Sequence, residues 1–166
     1  MYRTQIQSFW TLGVIGVLTV LSGLAGALPC AAVAQEVAKG RVENVKVHGR
    51  SLDGNLSGEP TDRNVSIYLP PSYGRERSRR YNVVVLLHGY LRTNSYWLGT
   101  GSQGFPSVDL PRAMDRDVAG GKSREIILVM PDGDSKYDGS VYSSSVTSGD
   151  WEGFIAEDLV SYIDDH

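Results

Sequence analysis

A histidine, a glycine and a tyrosine follow directly after an apolar run near the middle of the chain. Val83 to Leu87 consists only of valine and leucine, and His88-Gly89-Tyr90 comes next. In open α/β sheets, ligands bind beyond the carboxyl ends of the strands. Gly89 permits a tight turn whose backbone N–H groups stay free, and such groups stabilise negative charge on an oxygen. The N–H of Tyr90, with Leu91 as its neighbour, is therefore a candidate oxyanion donor.

The side chain of His88 has two interpretations. A histidine at the end of a buried strand is more often a hydrogen-bonded scaffold group than a general acid or base. We therefore expect His88 to support the loop and not to transfer protons.

A serine nucleophile in its usual setting is missing from the sequence. No G-x-S-x-G segment occurs, and Gly101-Ser102-Gln103-Gly104 has glycines at the wrong spacing. Ser143-Ser144-Ser145 lacks the strand-to-helix turn that exposes a nucleophile. We interpret this serine cluster as part of a binding loop.

Metal, cofactor and nucleic-acid sites are disfavoured by residue type and charge. Asp132, Asp134 and Asp138 resemble a calcium loop, but Lys136 stands where such a loop needs an oxygen, and Ser143 replaces its bidentate glutamate. No P-loop or dinucleotide glycine fingerprint is present. A formal charge of −3 gives no electrostatic footprint for nucleic acid. We expect no metal and no cofactor.

The residues that precede the candidate site predict an antiparallel ribbon and a buried strand. Arg41 to His48 and Asn64 to Leu69 alternate apolar and polar residues, and turn-forming residues separate them. Pro70-Pro71 ends the second strand because proline cannot donate to a ladder. The continuous apolar run Val83 to Leu87 predicts a strand buried on both faces, in the middle of a sheet.

The residues that follow predict a helix, a strand and a second helix. Val108 to Ala119 has helical spacing with Pro111 in its first turn, and Glu125 to Met130 is a second buried strand. A strand, a helix and a strand in this order predict a parallel crossover, and hence an α/β fold. Trp151 to Asp165 is an amphipathic helix with Asp150 as its N-cap.

The first 34 residues have the pattern of an export signal. Arg3 precedes an uncharged stretch from Phe9 to Ala34, and Ala32-Val33-Ala34 has the small-x-small form that signal peptidase cuts after. An uncleaved anchor is the alternative because the apolar stretch is long enough to span a bilayer. Proline before Cys30 disfavours lipidation. Cleavage after Ala34 would leave 132 residues without cysteine, so the domain would rely on packing alone.

Taken in order, these segments resemble the putative esterase family of α/β-hydrolases. That family includes esterase D (S-formylglutathione hydrolase), feruloyl and acetyl-xylan esterases, and the mycolyltransferases. The resemblance covers Asn64 to His166. Its matching segments are VSIYLPPSY at 65–73, VVVLLHG at 83–89 with Trp97 downstream, VMPDG at 129–133, and WEGFIAEDL at 151–159 with Tyr162-Ile163.

The resemblance implies an exported serine hydrolase that cleaves esters through an acyl-enzyme. In this family the serine, the acid and the histidine follow the helix at the end of this sequence. We therefore expect residues 35–166 to be the N-terminal part of the domain, with an incomplete, mostly parallel sheet and an antiparallel ribbon. We expect no turnover by the isolated chain. The substrate would be a small-molecule or polysaccharide-linked ester, and the implied substrate-binding residues are Gly89, Tyr90, Trp97, Asp132, Tyr142 and Trp151.

Two other functions remain open at this point. The first is an exported domain without catalytic activity, whose aromatic surface binds a glycan or a partner. That surface would comprise Tyr90, Tyr96, Trp97, Tyr137 and Tyr142. The second is acyl transfer to an acceptor other than water, which would use the same residues. Membrane contact is expected only through the N-terminal signal segment.

Overall fold

The computed structural model describes residues 38–100 and 106–166 of the chain. The export signal expected at 1–34 and the glycine-serine segment at 101–104 lie outside these ranges, so both stay predictions. Within the described ranges, every helix is too short or too polar to cross a bilayer.

A four-stranded sheet forms the centre of the fold. Its strands are β1 (Arg41–His48), β2 (Asp62–Leu69), β3 (Asn82–Val85) and β4 (Ile126–Pro131), in the order β1-β2-β4-β3. β1 and β2 pair antiparallel, which confirms the predicted ribbon. β2 and β4 are also antiparallel, and only β3 and β4 are parallel. The expectation of a mostly parallel sheet is therefore wrong for the described strands, which form a mixed sheet.

The apolar run predicted that β3 lies in the middle of a sheet. In the described sheet, β3 instead lies at the edge. Val83 is 43% exposed and Val84 is 39% exposed. Both values are high because β3 has a hydrogen-bonded neighbour, β4, on one side only among the described strands. The apolar run indicates a strand that is suited to burial, but it does not determine which strands flank it.

The helix α1 (Leu110–Ala119) connects β3 to β4 and confirms the predicted parallel crossover. The Asp109 carboxylate accepts a hydrogen bond from the Arg112 N–H at 3.1 Å and caps the first turn. Gly120 is the C-cap residue. The hydroxyl of Tyr68 on β2 donates to the Asp115 carboxylate at 2.8 Å, which ties α1 to the sheet.

The last helical region runs as α2 (Trp151–Gly153), a π-helical segment (Phe154–Asp158) and α3 (Leu159–Asp165). The Asp150 carboxylate accepts a hydrogen bond from the Gly153 N–H at 3.0 Å, which confirms the predicted N-cap. A short hairpin of β5 (Ser144–Ser145) and β6 (Gly149–Asp150) precedes it.

Alternate residues of the sheet bury two separate apolar clusters. Val65, Ile67 and Leu69 of β2 pack with Trp151, Phe154 and Leu159 of the last helical region. Tyr68 points to the other face and packs with Leu128 and Met130 of β4, where residues of α1 and the 3₁₀ turn Asn94–Trp97 cover them. Helical segments thus lie on both faces of the sheet, as an α/β fold requires.

Candidate functional site

The parallel pairing of β3 and β4 brings the residues after both strands together at one end of the sheet. His88, which is only 5% exposed, meets Gly133 there. The Gly133 N–H donates to His88 Nε2 at 2.8 Å, and His88 Nδ1 lies 3.0 Å from the Gly89 carbonyl oxygen. A carbonyl only accepts and an amide N–H only donates, so the imidazole is neutral with its proton on Nδ1. This geometry is that of a hydrogen-bonded scaffold histidine.

The imidazole also sets the direction of the next peptide group. All peptide bonds of the described residues are trans, so the carbonyl of Gly89 and the N–H of Tyr90 point in opposite directions in one plane. The carbonyl points to His88, and the Tyr90 N–H therefore points away from it. Neither the Gly89 nor the Tyr90 N–H donates a hydrogen bond to any described residue.

The second candidate oxyanion donor is already engaged. The Leu91 N–H donates to the Asp138 carbonyl at 2.8 Å. The Tyr90 hydroxyl lies 3.4 Å from the Asp138 carboxylate, so the loop after β3 is held against the loop after β4. Among the residues that the structure describes, the Tyr90 N–H therefore has no acceptor, whereas the Leu91 N–H has one.

Tyr142 stabilises the loop after β3 through a contact with His88. Its hydroxyl accepts a hydrogen bond from the His88 N–H at 3.1 Å, and the two rings meet edge to face with centroids 5.8 Å apart. Burial raises the pKa of Tyr142, so the hydroxyl stays protonated at neutral pH. A Cβ on Gly133 would lie 2.6 Å from the Tyr142 ring, so only glycine permits this approach.

Asp132 lies beside the imidazole, with Oδ1 3.6 Å from His88 Nε2. Burial opposes its ionisation, but the hydrogen bond from the Asp134 N–H and the positive charge of Arg63 favour the carboxylate, and the pKa of Asp132 is lowered. The Asp134 N–H donates to Asp132 Oδ1 at 3.1 Å. Asp132 is therefore an ionised residue that braces its own loop.

Backbone strain is concentrated in these two loops. Among the described residues, every non-glycine residue with positive φ lies in them. The residues and their φ angles are Leu91 at 61°, Asp138 at 62°, Val141 at 55° and Tyr142 at 51°. Such conformations cost on the order of 1–3 kcal/mol each and persist where surrounding contacts impose them, often at functional sites.

Four of the six predicted substrate-binding residues meet here, and the two tryptophans do not. Gly89, Tyr90, Asp132 and Tyr142 surround His88. Trp151 is fully buried in the core, with Nε1 donating to the Ser148 carbonyl at 3.0 Å, so it has no surface to offer a ligand. Trp97 is half-buried and packs against the cluster of Tyr68, Leu128 and Met130. Both indoles were implied as substrate-binding residues by the family resemblance, because they belong to its matching segments.

The five aromatic residues of the hypothetical binding surface differ in exposure. Tyr90 is 64% exposed and Tyr137 is 56% exposed. Tyr96, Trp97 and Tyr142 are half-buried, and Tyr142 uses its hydroxyl to hold His88.

Arg63, which is only 8% exposed, was not among the residues predicted from the sequence. Its Nε and Nη2 atoms each lie 3.2 Å from the Asp132 carbonyl oxygen, and Nη2 also donates to the Asp134 carbonyl. The guanidinium carbon lies 4.7 Å from the centre of the Trp151 ring. A signal was available: Arg63 is two and four residues before Val65 and Ile67, so strand alternation places it on their buried face.

The site lacks a catalytic pair within the described ranges. No histidine there hydrogen-bonds a serine hydroxyl: His48 bonds Asp62, His88 bonds Gly89 and Gly133, and His166 bonds Tyr162. No group of three or more histidine, cysteine or acidic side chains of these residues is placed to hold a metal ion. The arrangement presents a backbone donor but no nucleophile.

The family described as "Putative esterase" matches residues 58–166 of this chain. A comparison with curated proteins finds no match. Among solved structures, a ferulic acid esterase is 24% identical with a TM-score of 0.59, covering 76% of this chain and 44% of that one.

Two further solved structures share the fold at 16% identity. A ferulic acid esterase from Anaeromyces mucronatus, in complex with ferulic acid, has a TM-score of 0.55 over 80% of this chain and 45% of its own. A mutant of the feruloyl esterase module from Clostridium thermocellum, complexed with sinapinate, has a TM-score of 0.54 over 77% of this chain and 36% of its own. The chain spans less than half the length of each of these structures.

Proposed function

The chain belongs to the putative esterase family, and from this membership we propose that it supplies the oxyanion-stabilising side of a carboxylic-ester hydrolase. The observation that carries the proposal is the N–H of Tyr90, which has no acceptor among the described residues and lies beyond the carboxyl end of β3 on a peptide oriented by a buried neutral His88. The resemblance implies an oxyanion donor in this loop, and the hydrogen bonds of His88 support it.

The chemistry follows from the direction of the Tyr90 N–H. Attack on an ester carbonyl converts its oxygen into an oxyanion, and a donor placed at about 2.7–3.1 Å stabilises that charge. One such donor contributes roughly 10²–10³ to kcat. A Cβ added to Gly89 would meet no atom of the described residues within 4 Å, which supports access of a substrate to this donor.

The nucleophile, the acid and the catalytic histidine are proposed to come from residues outside these 166. The sequence contains no G-x-S-x-G segment, and the described histidines are engaged elsewhere. A serine placed next to an ester whose carbonyl oxygen is bound by the Tyr90 N–H would attack the carbonyl carbon. The alcohol would leave, and water would then hydrolyse the acyl-enzyme. The isolated chain would bind without turnover.

Export and substrate class belong to the same proposal. The N-terminal segment would direct export to the periplasm or the medium, with cleavage after Ala34, and residues 35–166 would begin the esterase domain. The substrate would be a small-molecule or polysaccharide-linked ester. Ferulic acid and sinapinate in two of the similar structures favour an aromatic acyl group.

A fluorophosphonate probe, which bonds covalently to activated serines, tests the proposal that the nucleophilic serine lies outside these 166 residues. We expect no labelling of the 166-residue chain and labelling of a single serine in a chain continued past His166 to the next stop codon. Labelling of a serine within the 166 residues would show that the nucleophile had been overlooked.

A further inference from the structure

Arg63 is a buried cation with unusual partners. Burial of a guanidinium is costly unless its donors are satisfied, and a carboxylate is the common partner. Among the described residues, the ion pairs do not include Arg63. Its donors instead go to the backbone carbonyls of Asp132 and Asp134, and more distantly, at 3.4 Å, to that of Pro60. The charge is thus directed at the polypeptide backbone after β4.

The first of these carbonyls belongs to the peptide group that holds His88. The C=O of Asp132 and the N–H of Gly133 are the two ends of one planar trans peptide. The carbonyl end accepts from Arg63 at 3.2 Å, and the N–H end donates to His88 Nε2 at 2.8 Å. Arg63 therefore fixes the plane of the peptide that selects the imidazole tautomer.

The same arrangement repeats on the other side of the ring. His88 Nδ1–H donates to the Gly89 carbonyl at 3.0 Å, and the opposite end of that peptide is the free N–H of Tyr90. A guanidinium, a peptide, an imidazole and a second peptide thus follow one another, each donating to the next. We propose that Arg63 is a positioning residue that orients and polarises the Tyr90 N–H through this relay.

Polarisation adds to orientation. A cation at one end of a hydrogen-bonded chain draws electron density along it, and each bond strengthens the next by about 10–30%. The Tyr90 N–H at the far end becomes a stronger donor, which suits an oxyanion partner. The use of this donor rests on the proposed function, whereas the relay itself can be measured without any substrate.

Stacking on the Trp151 ring holds the Arg63 guanidinium in place. The guanidinium lies 4.7 Å from the indole, and the indole is itself held by its bond to the Ser148 carbonyl. Arg79 provides a matched control because it lies 4.9 Å from the Tyr81 ring and pairs with Glu125 at 2.8 Å, without any contact to the relay.

The test is NMR of the whole 166-residue chain, labelled with ¹⁵N, as wild type and as R63M, R63K and R79M. In the wild type we expect the His88 nitrogens to report the Nδ1–H tautomer. In R63M we expect a mixture of tautomers, an upfield shift of the Tyr90 amide proton and amide exchange at Gly133 faster by about tenfold or more. R63K, which keeps the charge, should restore part of these signals, and R79M should leave them unchanged. Unchanged His88 and Tyr90 signals in a folded R63M protein would overturn the proposal.

A measurement on the wild type alone covers the case in which R63M does not fold. A scalar coupling between the Gly133 amide nitrogen and His88 Nε2, transmitted across their hydrogen bond, is expected in the wild-type chain. Its absence, or a proton on Nε2, would contradict the relay. An observed relay in a protein that never hydrolyses esters would refute the proposed function and leave this inference standing.

Discussion

The hydroxyl of Tyr142 is the acceptor for the backbone N–H of His88, at 3.1 Å. In Y142F that buried N–H loses its partner, so we expect the free energy of unfolding to fall by about 1–3 kcal/mol. Urea denaturation of both proteins measures the change. The control is Y137F, because Tyr137 is 56% exposed, and it should stay within about 0.5 kcal/mol of the wild type. Equal stability of Y142F and wild type would show that His88 is not held in this way.

Acid should weaken the loop after β4 through Asp132. The pKa of this carboxyl is lower in the folded chain than its ordinary value, so ionised Asp132 stabilises the fold. This contribution is complete above the unfolded pKa, about 3.9, and is lost as the pH falls through the lower folded pKa.

Replacement by asparagine isolates this effect, because the amide oxygen can still accept from Asp134. We expect D132N to be less stable than the wild type at pH 7, with a gap that closes as the pH falls below about 4. Urea titrations at several pH values measure it, with D164N on the exposed face of α3 as the control. A gap that persists or widens in acid would contradict the assignment.

At the level of single residues, the hydrogen bonds of His88 follow from local chemistry that the sequence already contains. His88 at a strand end was predicted to be a hydrogen-bonded scaffold group, and its bonds to Gly89 and Gly133 have that form. The family resemblance implied that Trp151 binds substrate, yet it lies in the core. Arg63 was overlooked because its hydrogen-bond acceptors are backbone carbonyls 69 and 71 positions away in the sequence.

The junction of the two loops after β3 and β4 depends on one glycine more than on the other. A Cβ at Gly133 would lie 2.6 Å from the Tyr142 ring, whereas one at Gly89 would meet nothing within 4 Å. We expect G133A to lose about 1–3 kcal/mol through overpacking. G89A should change stability by less than about 0.5 kcal/mol. Thermal or urea unfolding of the two variants measures the difference, and equal losses would mean that Tyr142 is free to move aside.

The elements themselves were largely predictable, and their neighbours were not. β1 was predicted over Arg41 to His48 and is found there, and the capped helix after Asp150 also begins as expected. β3 was predicted as a central strand but is an edge strand of the described sheet. Apolar periodicity reports how much of a strand is suited to burial. Strand order depends on tertiary pairing, which no local pattern encodes.

For the whole molecule, the order of segments along the chain was more informative than any one motif. The resemblance over Asn64 to His166 predicted the family that matches residues 58–166, and it predicted helices around a sheet. The mixed character of that sheet escaped prediction because the antiparallel pairing of β2 with β4 joins segments about sixty residues apart. The chain covers less than half of each of the three solved structures compared above.

Whether the nucleophile lies outside this chain is tested by the rate of p-nitrophenyl acetate and butyrate hydrolysis by two proteins measured side by side. One is the 166-residue chain, and the other continues past His166 to the next stop codon in any frame. We predict no turnover by the first and serine-dependent turnover by the second. Serine-dependent turnover by the 166-residue chain, or none by either protein, would contradict the claim that this chain supplies the oxyanion side of an esterase whose nucleophile lies outside it.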